Sequence, residues 1–218
     1  IQGFNQKMGW EDLAEAAYTL ANPDVLWIAT NTDQTIPKER GQAPGNGTLV
    51  AAVATASRRT PLVAGKPEAP IFHTAAKAVN SSRPVIVGDR LDTDILGANN
   101  AKMDGALVLT GVQTYQDVIE AVPNQRPTYI LRTLEDFFAP YPEIEVLYEG
   151  YEVTATGPTW QARVRGENLS LTGPEIADAE AFAGSESEAE AWRVACAAWW
   201  AANPEQGARP NIQGIPGA

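Results

Sequence analysis

The sequence predicts an α/β protein in which a parallel sheet is followed by a smaller α+β unit. Up to about residue 131, short apolar runs alternate with helical patterns of about ten residues, as in parallel strands joined by right-handed crossovers. After residue 142 the strand-like runs come one after another, separated by short Gly-containing turns, which indicates an antiparallel meander. With 218 residues, 44% of them hydrophobic, the chain can bury a sizeable core.

The elements of the first part follow from apolar spacing. Trp10, Leu13, Ala17 and Leu20 recur at helical intervals and predict a helix over residues 10–20. Further helices are predicted at 47–57, 69–79, 93–102 and 115–121, and strands at 24–30, 84–87, 106–109 and 128–131. No regular element is predicted for the polar, proline-bearing stretch that precedes the second helix.

The second part is predicted to be a small meander covered by one helix. Strands are predicted at 143–148, 151–156 and 160–165. A helix over residues 185–202 has an apolar stripe that suits packing on this meander. The last segment, 204–218, is rich in Pro, Gly and Asn and is predicted to be a flexible tail.

Charge and composition exclude several classes of protein. The net charge is −11, and most of the acidic excess lies after residue 139, which argues against a nucleic-acid partner. Neither an apolar stretch of membrane-spanning length nor a signal-peptide pattern is found, so a cytoplasmic location is predicted. Since the field of the whole chain would repel an anionic substrate, such a substrate would need a local cation, which points towards a metal.

The most informative segment lies at the end of the predicted strand 84–87. Asp89 follows this strand directly, and Asp92 and Asp94 come within the next five residues. Ligands of open α/β folds bind at the carboxyl ends of the strands, and clustered carboxylates suit Mg²⁺ or Ca²⁺. The alternative is an Asp-rich helix N-terminus, in which the same side chains cap free backbone N–H groups.

A second candidate is Lys66, which stands between Gly65 and Pro67 in a loop leading into a helix. These neighbours restrict the backbone and leave the ammonium group able to meet an anion. The alternative is an ordinary solvated loop lysine.

A third candidate is formed by two polar loops. Asn31 and Asp33 follow a predicted strand, and Gly45, Asn46 and Gly47 open a predicted helix. Glycines at a helix start allow backbone N–H groups to approach an anion. A flexible loop before a helix explains the same pattern.

Taken in order, these segments resemble the second half of a type IIA phosphatase of the haloacid dehalogenase (HAD) superfamily. The resemblance covers roughly residues 1–132 and rests on five segments: Asn31-Thr32-Asp33, Pro44-Gly45-Asn46-Gly47, Gly65-Lys66-Pro67, Gly88 to Ile95, and Val108-Leu109-Thr110-Gly111-Val112. It is strongest for actinobacterial members, whose C-terminal extension resembles a truncated acetyltransferase-like fold.

The resemblance implies a HAD-like Rossmannoid parallel sheet with an α/β type IIA cap, both incomplete, and a small α+β C-terminal extension. The implied domains are the C-terminal half of the cap (1–58), the C-terminal half of the core (59–139), the extension (140–203) and the tail (204–218).

It also implies roles for single residues. Lys66 matches the lysine that pairs with the nucleophile and the phosphoryl group, Asp89 matches the Mg²⁺ ligand, and Asp94 matches the acid that supports the metal shell. The cap positions, which help to choose the substrate, are matched by Asn31, Asp33, Gly45, Asn46 and Gly47. The implied reaction is magnesium-dependent hydrolysis of a small phosphomonoester, such as glycerol 3-phosphate or phosphoglycolate, through an aspartyl-phosphate.

The chain departs from the family pattern at its start. The family's nucleophile lies in an Asp-x-Asp motif followed by Gly-Thr, and no such motif precedes Lys66. The chain begins with Ile1, so we expect either a fragment or a protein completed by another chain, inactive alone.

Two other hypotheses about the function stay open. One is a non-enzymatic module that binds anions or regulates a partner. The other is an acetyltransferase, although its extension offers only the widely spaced Gly157, Gly166 and Gly173 for a pyrophosphate. The expected partner is a small phosphorylated metabolite, with no membrane and with homo-oligomer formation left open.

Overall fold

A computed structural model describes residues 1–216. They form two compact units, one of residues 1–84 with 92–103 and one of residues 85–91 with those from 104 onward. The mixed α/β architecture with parallel strand pairs is the fold class predicted from the sequence. Within the described residues, no helix has the length and apolar character needed to cross a membrane.

The first unit contains five helical segments and two small sheets. Its elements are α1 (Trp10–Thr19), β1 (Ile28–Ala29), β2 (Thr35–Lys38), β3 (Gly41–Pro44), α2 (Asn46–Ser57), β4 (Leu62–Val63), α3 (Pro70–Ala78), most of a π-helical turn (Leu91–Ile95) and α4 (Leu96–Ala101). β1 pairs with β4 in parallel, and β2 pairs with β3 as an antiparallel hairpin.

Apolar side chains from α2, from β1 and from the segment between α1 and β1 form the buried core of this unit. Its buried members are Leu20, Trp27, Ala29, Val50 and Val53. Beside this core, the Arg59 guanidinium donates hydrogen bonds to the backbone carbonyls of four residues between α1 and β1: Leu20, Asn22, Pro23 and Val25. A single side chain therefore fixes the connection that follows α1.

The predicted helices of this unit are found, with small shifts at their ends. The helix predicted at 93–102 is divided between the π-helical turn and α4. The strand predicted at 24–30 is reduced to the two residues of β1. The β2–β3 hairpin was not predicted, because Pro37 and Pro44 argue against strands; a two-stranded sheet tolerates them since each of its strands is an edge.

The second unit begins with a parallel sheet in the order β5-β6-β7. Its strands are Val85–Gly88, Asp104–Val108 and Tyr129–Leu131, and α5 (Tyr115–Ile119) connects the last two. β6 is buried along most of its length, as expected for a central parallel strand. β5 is an edge strand, and its residues Val85 and Val87 are 40% and 43% exposed.

The extension is a five-stranded sheet in the order β12-β11-β10-β9-β8, covered by a long helix. Its elements are β8 (Glu145–Glu149), β9 (Glu152–Thr156), β10 (Gln161–Arg165), β11 (Asn168–Thr172), α6 (Ala179–Phe182), α7 (Glu186–Ala202) and β12 (Asn211–Gln213). Burial alternates along β9, β10 and β11, so one face of the sheet packs on α7 while the other faces solvent. Cys196 on α7 is fully buried, and burial raises the pKa of its thiol.

Two strands of the extension were not predicted. β11 follows a tight turn at Gly166 (φ +58°), and its buried Leu169 and Leu171 carry a period-two pattern that the sequence analysis overlooked. β12 lies inside the segment 204–218, which had been predicted as a flexible tail; it pairs in parallel with β11, and Ile215 after it is buried. Composition alone does not reveal such a tertiary pairing. Residues 217 and 218 of this segment lie outside the described residues.

Candidate active site

The loop that carries Lys66 is held in place on both sides. A Cβ atom at Gly65 would lie 1.9 Å from the Thr30 carbonyl oxygen, so this close approach requires glycine. On the other side of the lysine, the side-chain amide of Asn100 donates to the Pro67 carbonyl at 2.9 Å. The backbone of Lys66 is therefore fixed by contacts with segments far away in the sequence.

The Lys66 ammonium group lies between two carboxylates of the same unit. It donates to Asp94 Oδ1 at 2.9 Å and lies 3.9 Å from Asp33 Oδ2. The Asp94 side chain is 8% exposed, whereas that of Lys66 is 35% exposed. Asp94 thus acts as a buried anchor, and the lysine keeps a face that a ligand can reach.

The glycines at the start of α2 fit this helix against the polar loop before it. A Cβ atom would lie 2.3 Å from the Asp33 carbonyl oxygen at Gly45 and 2.1 Å from the Thr32 carbonyl oxygen at Gly47. Their N–H groups donate at 2.8 Å to the carbonyls of Gln34 and Asp33, respectively. Both N–H groups are therefore engaged in joining the loop to the helix.

Asn46, between these glycines, links the helix to Asn31. Its side chain is almost fully buried, and its amide donates to the Asn31 carbonyl at 2.8 Å. Among the described residues, the Oδ1 atoms of Asn46 and Asp33 are buried acceptors without a hydrogen-bond partner. Since an unsatisfied buried acceptor costs about 1–3 kcal/mol, a donor such as a water or a ligand hydroxyl is expected there.

Asp89 stands at the carboxyl end of β5, in the second unit. The residue is half-buried, and its carboxylate packs so closely on Gly111 that a Cβ at that glycine would lie 2.0 Å from Asp89 Oδ2. Just after it, the Leu91 N–H donates to Gln113 Oε1 at 3.4 Å. Gly111 therefore provides the space that the Asp89 carboxylate occupies.

The chemistry of Asp89 fits a magnesium ion of the kind that the family resemblance implies. Mg²⁺ in phosphate-handling sites takes one or two protein carboxylates and completes its octahedron with waters and substrate oxygens. Over residues 1–216 no group of three or more His, Cys, Asp or Glu side chains could hold a metal ion by itself. Asp89 offers one such carboxylate at the end of β5.

The structure brings some predicted site residues together within the first unit. Lys66, Asp94 and Asp33 form one ionic group, and Asn46 adjoins Asn31. The roles assigned to these residues stay predictions. The same holds for the metal-binding role assigned to Asp89 in the second unit.

Two supporting residues were missed by the sequence analysis. Asn100 holds the Pro67 carbonyl, and no local pattern signals this. Gly111 lay in one of the segments that carry the resemblance but was given no role, although its neighbour Asp89 requires a glycine there.

The central segment of the chain, which carries Lys66, Asp89 and Asp94, matches a known protein family. Residues 63–137, which contain Lys66, Asp89 and Asp94, match the family model described as HAD-hydrolase-like. The resemblance seen in the sequence is thereby confirmed, and this segment belongs to the HAD-hydrolase-like family.

Two proteins that are similar to this chain in sequence are phosphatases. The chain is 43% identical over 174 residues to the D-glycerol 3-phosphate phosphatase of Mycobacterium tuberculosis, a match that covers 78% of this chain and 46% of the relative. It is 43% identical over 122 residues to the glycerol-3-phosphate phosphatase of Gallus gallus, covering 54% of this chain and 39% of the relative. The chain therefore spans about half the length or less of these relatives.

Solved structures show the same likeness, and in them the likeness includes the extension. The glycerol phosphate phosphatase from Mycobacterium tuberculosis in complex with calcium is 35% identical, with a TM-score of 0.72, and the match covers 96% of this chain and 58% of that one. A magnesium complex of the same protein matches with the same TM-score over 97% and 57% of the two chains. The fold class predicted from the sequence is thus confirmed as that of HAD phosphatases.

Proposed function

We propose that this chain carries the lysine and the metal-binding part of a magnesium-dependent phosphatase. The substrate would be a compact phosphomonoester such as glycerol 3-phosphate or a phosphoglycolate-like compound. The observation that carries the proposal is the anchored ammonium group of Lys66, which lies in a segment that belongs to a phosphatase-containing family.

Lys66 is suited to hold a transferring phosphoryl group. Its buried partner Asp94 keeps the ammonium in one place, and its partial exposure lets anionic oxygens approach. A positive charge that is already oriented stabilises the negative charge of a transition state without reorganising at the moment of reaction. We therefore assign the phosphoryl contact to Lys66 and a positioning role to Asp94.

Asp89 would hold the magnesium ion. When bound, Mg²⁺ supplies charge neutralisation at the phosphoryl oxygens. Asp89 offers one hard carboxylate ligand beside Gly111, and this glycine leaves room for the carboxylate at the strand end.

The step that breaks the phosphate ester needs a nucleophile that residues 1–65 do not supply in the family's form. In the proposed reaction an aspartate attacks phosphorus, the alcohol leaves, and water then hydrolyses the aspartyl-phosphate. No Asp-x-Asp followed by Gly-Thr precedes Lys66. Residues 1–218 by themselves are therefore expected to bind phosphate without turning it over.

The polar loops next to Lys66 are assigned to the leaving group. Asn31, Asp33 and the segment 45–47 lie against one another, and they contain two buried oxygen acceptors that lack donors. Acceptors of this kind suit a hydroxylated alcohol better than a second anion, which favours a polyol phosphate as the substrate.

Hydrolysis of p-nitrophenyl phosphate tests the proposal. Residues 1–218 should show no magnesium-dependent turnover. A chimera that adds the part of the mycobacterial relative not covered by this chain should be active. In that chimera, Asp89→Asn and Lys66→Ala should each lower kcat/KM by about 10²-fold or more, which corresponds to about 2.7 kcal/mol of transition-state stabilisation. Lys77→Ala, which alters an exposed lysine of α3, is the matched control.

A non-enzymatic anion-binding module is the competing function. It predicts that the chimera stays inactive while residues 1–218 still bind inorganic phosphate in a Lys66-dependent way. Full activity of the Asp89→Asn chimera at saturating magnesium would instead remove Asp89 from the reaction.

A further inference from the structure

A cavity of about 250 Å³ lies at the carboxyl end of β7, in the second unit. Two arginines line it: Arg132, which follows β7 directly, and Arg193, which lies on α7. The carboxyl ends of parallel strands are where open α/β folds bind their ligands. None of the residues assigned to phosphate chemistry above lines this cavity.

Arg193 is a buried cation that is held rigidly. Its side chain is 3% exposed, its Nε donates to the Ile130 carbonyl at 2.9 Å, and its guanidinium lies 5.0 Å from the centre of the Tyr141 ring. An Nη1 group of this arginine donates to the carboxylate of Glu186. Such a charge is costly to bury unless anions satisfy it.

Arg132 has one fixed and one exposed acidic partner. Its Nη2 donates to Asp136 Oδ1 at 2.7 Å and its Nε to Asp136 Oδ2 at 3.3 Å, while Asp136 is 9% exposed. Glu186 Oε2 lies 3.1 Å from the same Nη2, but the Glu186 side chain is 55% exposed. Asp136 is thus an inner partner, and Glu186 presents one oxygen to each arginine from the solvent side.

We propose that this pocket binds a small carboxylate, and that Glu186 occupies the carboxylate position when no ligand is present. Removal of the Glu186 carboxylate leaves two arginines facing Asp136, a net charge of +1 that suits a monoanion. The walls formed by Pro140, Tyr141 and Pro142 offer apolar surface for the rest of a small molecule. The ligand class is therefore a monocarboxylate with a compact body.

The competing explanation is that Glu186 only joins α7 to the end of β7. The two explanations differ in what removal of its carboxylate does to anion binding. An internal competitor lowers the apparent affinity by the fraction of time for which the site is open. A purely structural contact has no such effect, and its removal would loosen the pocket.

Acetate titration of residues 1–218, followed on the arginine Nε–Hε NMR signals, tests this proposal. A Lys66→Ala background in metal-free buffer removes the contribution of the phosphatase residues. Glu186→Ala should bind acetate at least about tenfold more tightly than the parent, given an open fraction of a tenth or less. Adding Arg132→Gln should reverse that gain. Glu180→Ala, at an exposed acid of α6, should leave the affinity unchanged.

Unchanged or weaker acetate binding in Glu186→Ala would overturn the proposal, as would tighter binding of inorganic phosphate than of acetate. If the alanine variant melts below the assay temperature, Glu186→Gln serves in its place, because it removes the charge and keeps the side-chain volume. Neither result depends on whether the chain is a phosphatase, since none of the residues tested has been assigned a role in phosphate chemistry.

Discussion

Asp94→Asn should destabilise the first unit, because it removes the carboxylate that anchors Lys66. The two charged atoms are 2.9 Å apart. At this distance Coulomb attraction amounts to about 1.4 kcal/mol in a water-like dielectric and about 6 kcal/mol at an effective dielectric constant near 20. Desolvation of Asp94 offsets part of this energy, and the 35% exposure of Lys66 screens more of it. We expect a loss of about 1–2 kcal/mol in the free energy of unfolding, in the range for charge-assisted hydrogen bonds.

Urea unfolding measures this loss directly. A double-mutant cycle with Lys66→Met separates the pair interaction from other effects of each substitution. Asp24→Asn, at an exposed acid of the same unit, is the matched control and should change stability by less than about 0.5 kcal/mol. An interaction energy within error of zero between Lys66 and Asp94 would show that the contact anchors nothing, and it would remove the physical basis for the positioning role of Asp94.

Three further outcomes are expected. Gly47→Ala should cost more than about 2 kcal/mol in urea unfolding, because its Cβ would lie 2.1 Å from the backbone oxygen of Thr32; a loss below 0.5 kcal/mol would contradict this packing. Burial raises the pKa of Asp136, but the hydrogen bonds and charge of Arg132 outweigh it and hold that pKa below its usual value. The stabilisation is therefore complete above about pH 4 and is lost as the pH falls through the lowered pKa, so Asp136→Asn should flatten the acid side of the Tm-against-pH curve. Finally, the buried thiol of Cys196, whose raised pKa keeps it protonated, should react with a thiol reagent only after denaturation; rapid reaction in the native protein would refute its burial.

Helices and strands whose apolar residues recur at a regular interval could be predicted from the sequence. α1 has an apolar stripe of helical spacing, and β9 and β10 alternate buried and exposed residues, so each of these patterns reflects a neighbour on one side. α7 could also be predicted, although its residues 189–196 are all buried and not only those of one stripe. β12 has no such pattern. Its three residues are a strand because β11 lies beside them, and this is a property of the tertiary structure that composition cannot reveal.

The candidate site, too, could be predicted from the sequence only in part. Lys66 and Asp89 could be singled out because each lies in a turn next to a predicted helix or strand. The family resemblance supplied their expected roles. The partner of Lys66 was not evident, because Asp94 lies 28 positions away and local pattern gives no distance between segments. Nor could the sequence show that the N–H groups of Gly45 and Gly47 donate to the loop before α2 instead of pointing towards an anion.

The carbonyl clamp of Arg59 has a consequence for limited proteolysis. Trypsin must draw an arginine into its specificity pocket, and the Arg59 side chain is held by four backbone oxygens of the connection between α1 and β1. Its neighbour Arg58 is exposed and ends α2 in a left-handed conformation. The first cut in this region should therefore follow Arg58, and cleavage after Arg59 should appear only once the connection between α1 and β1 has opened.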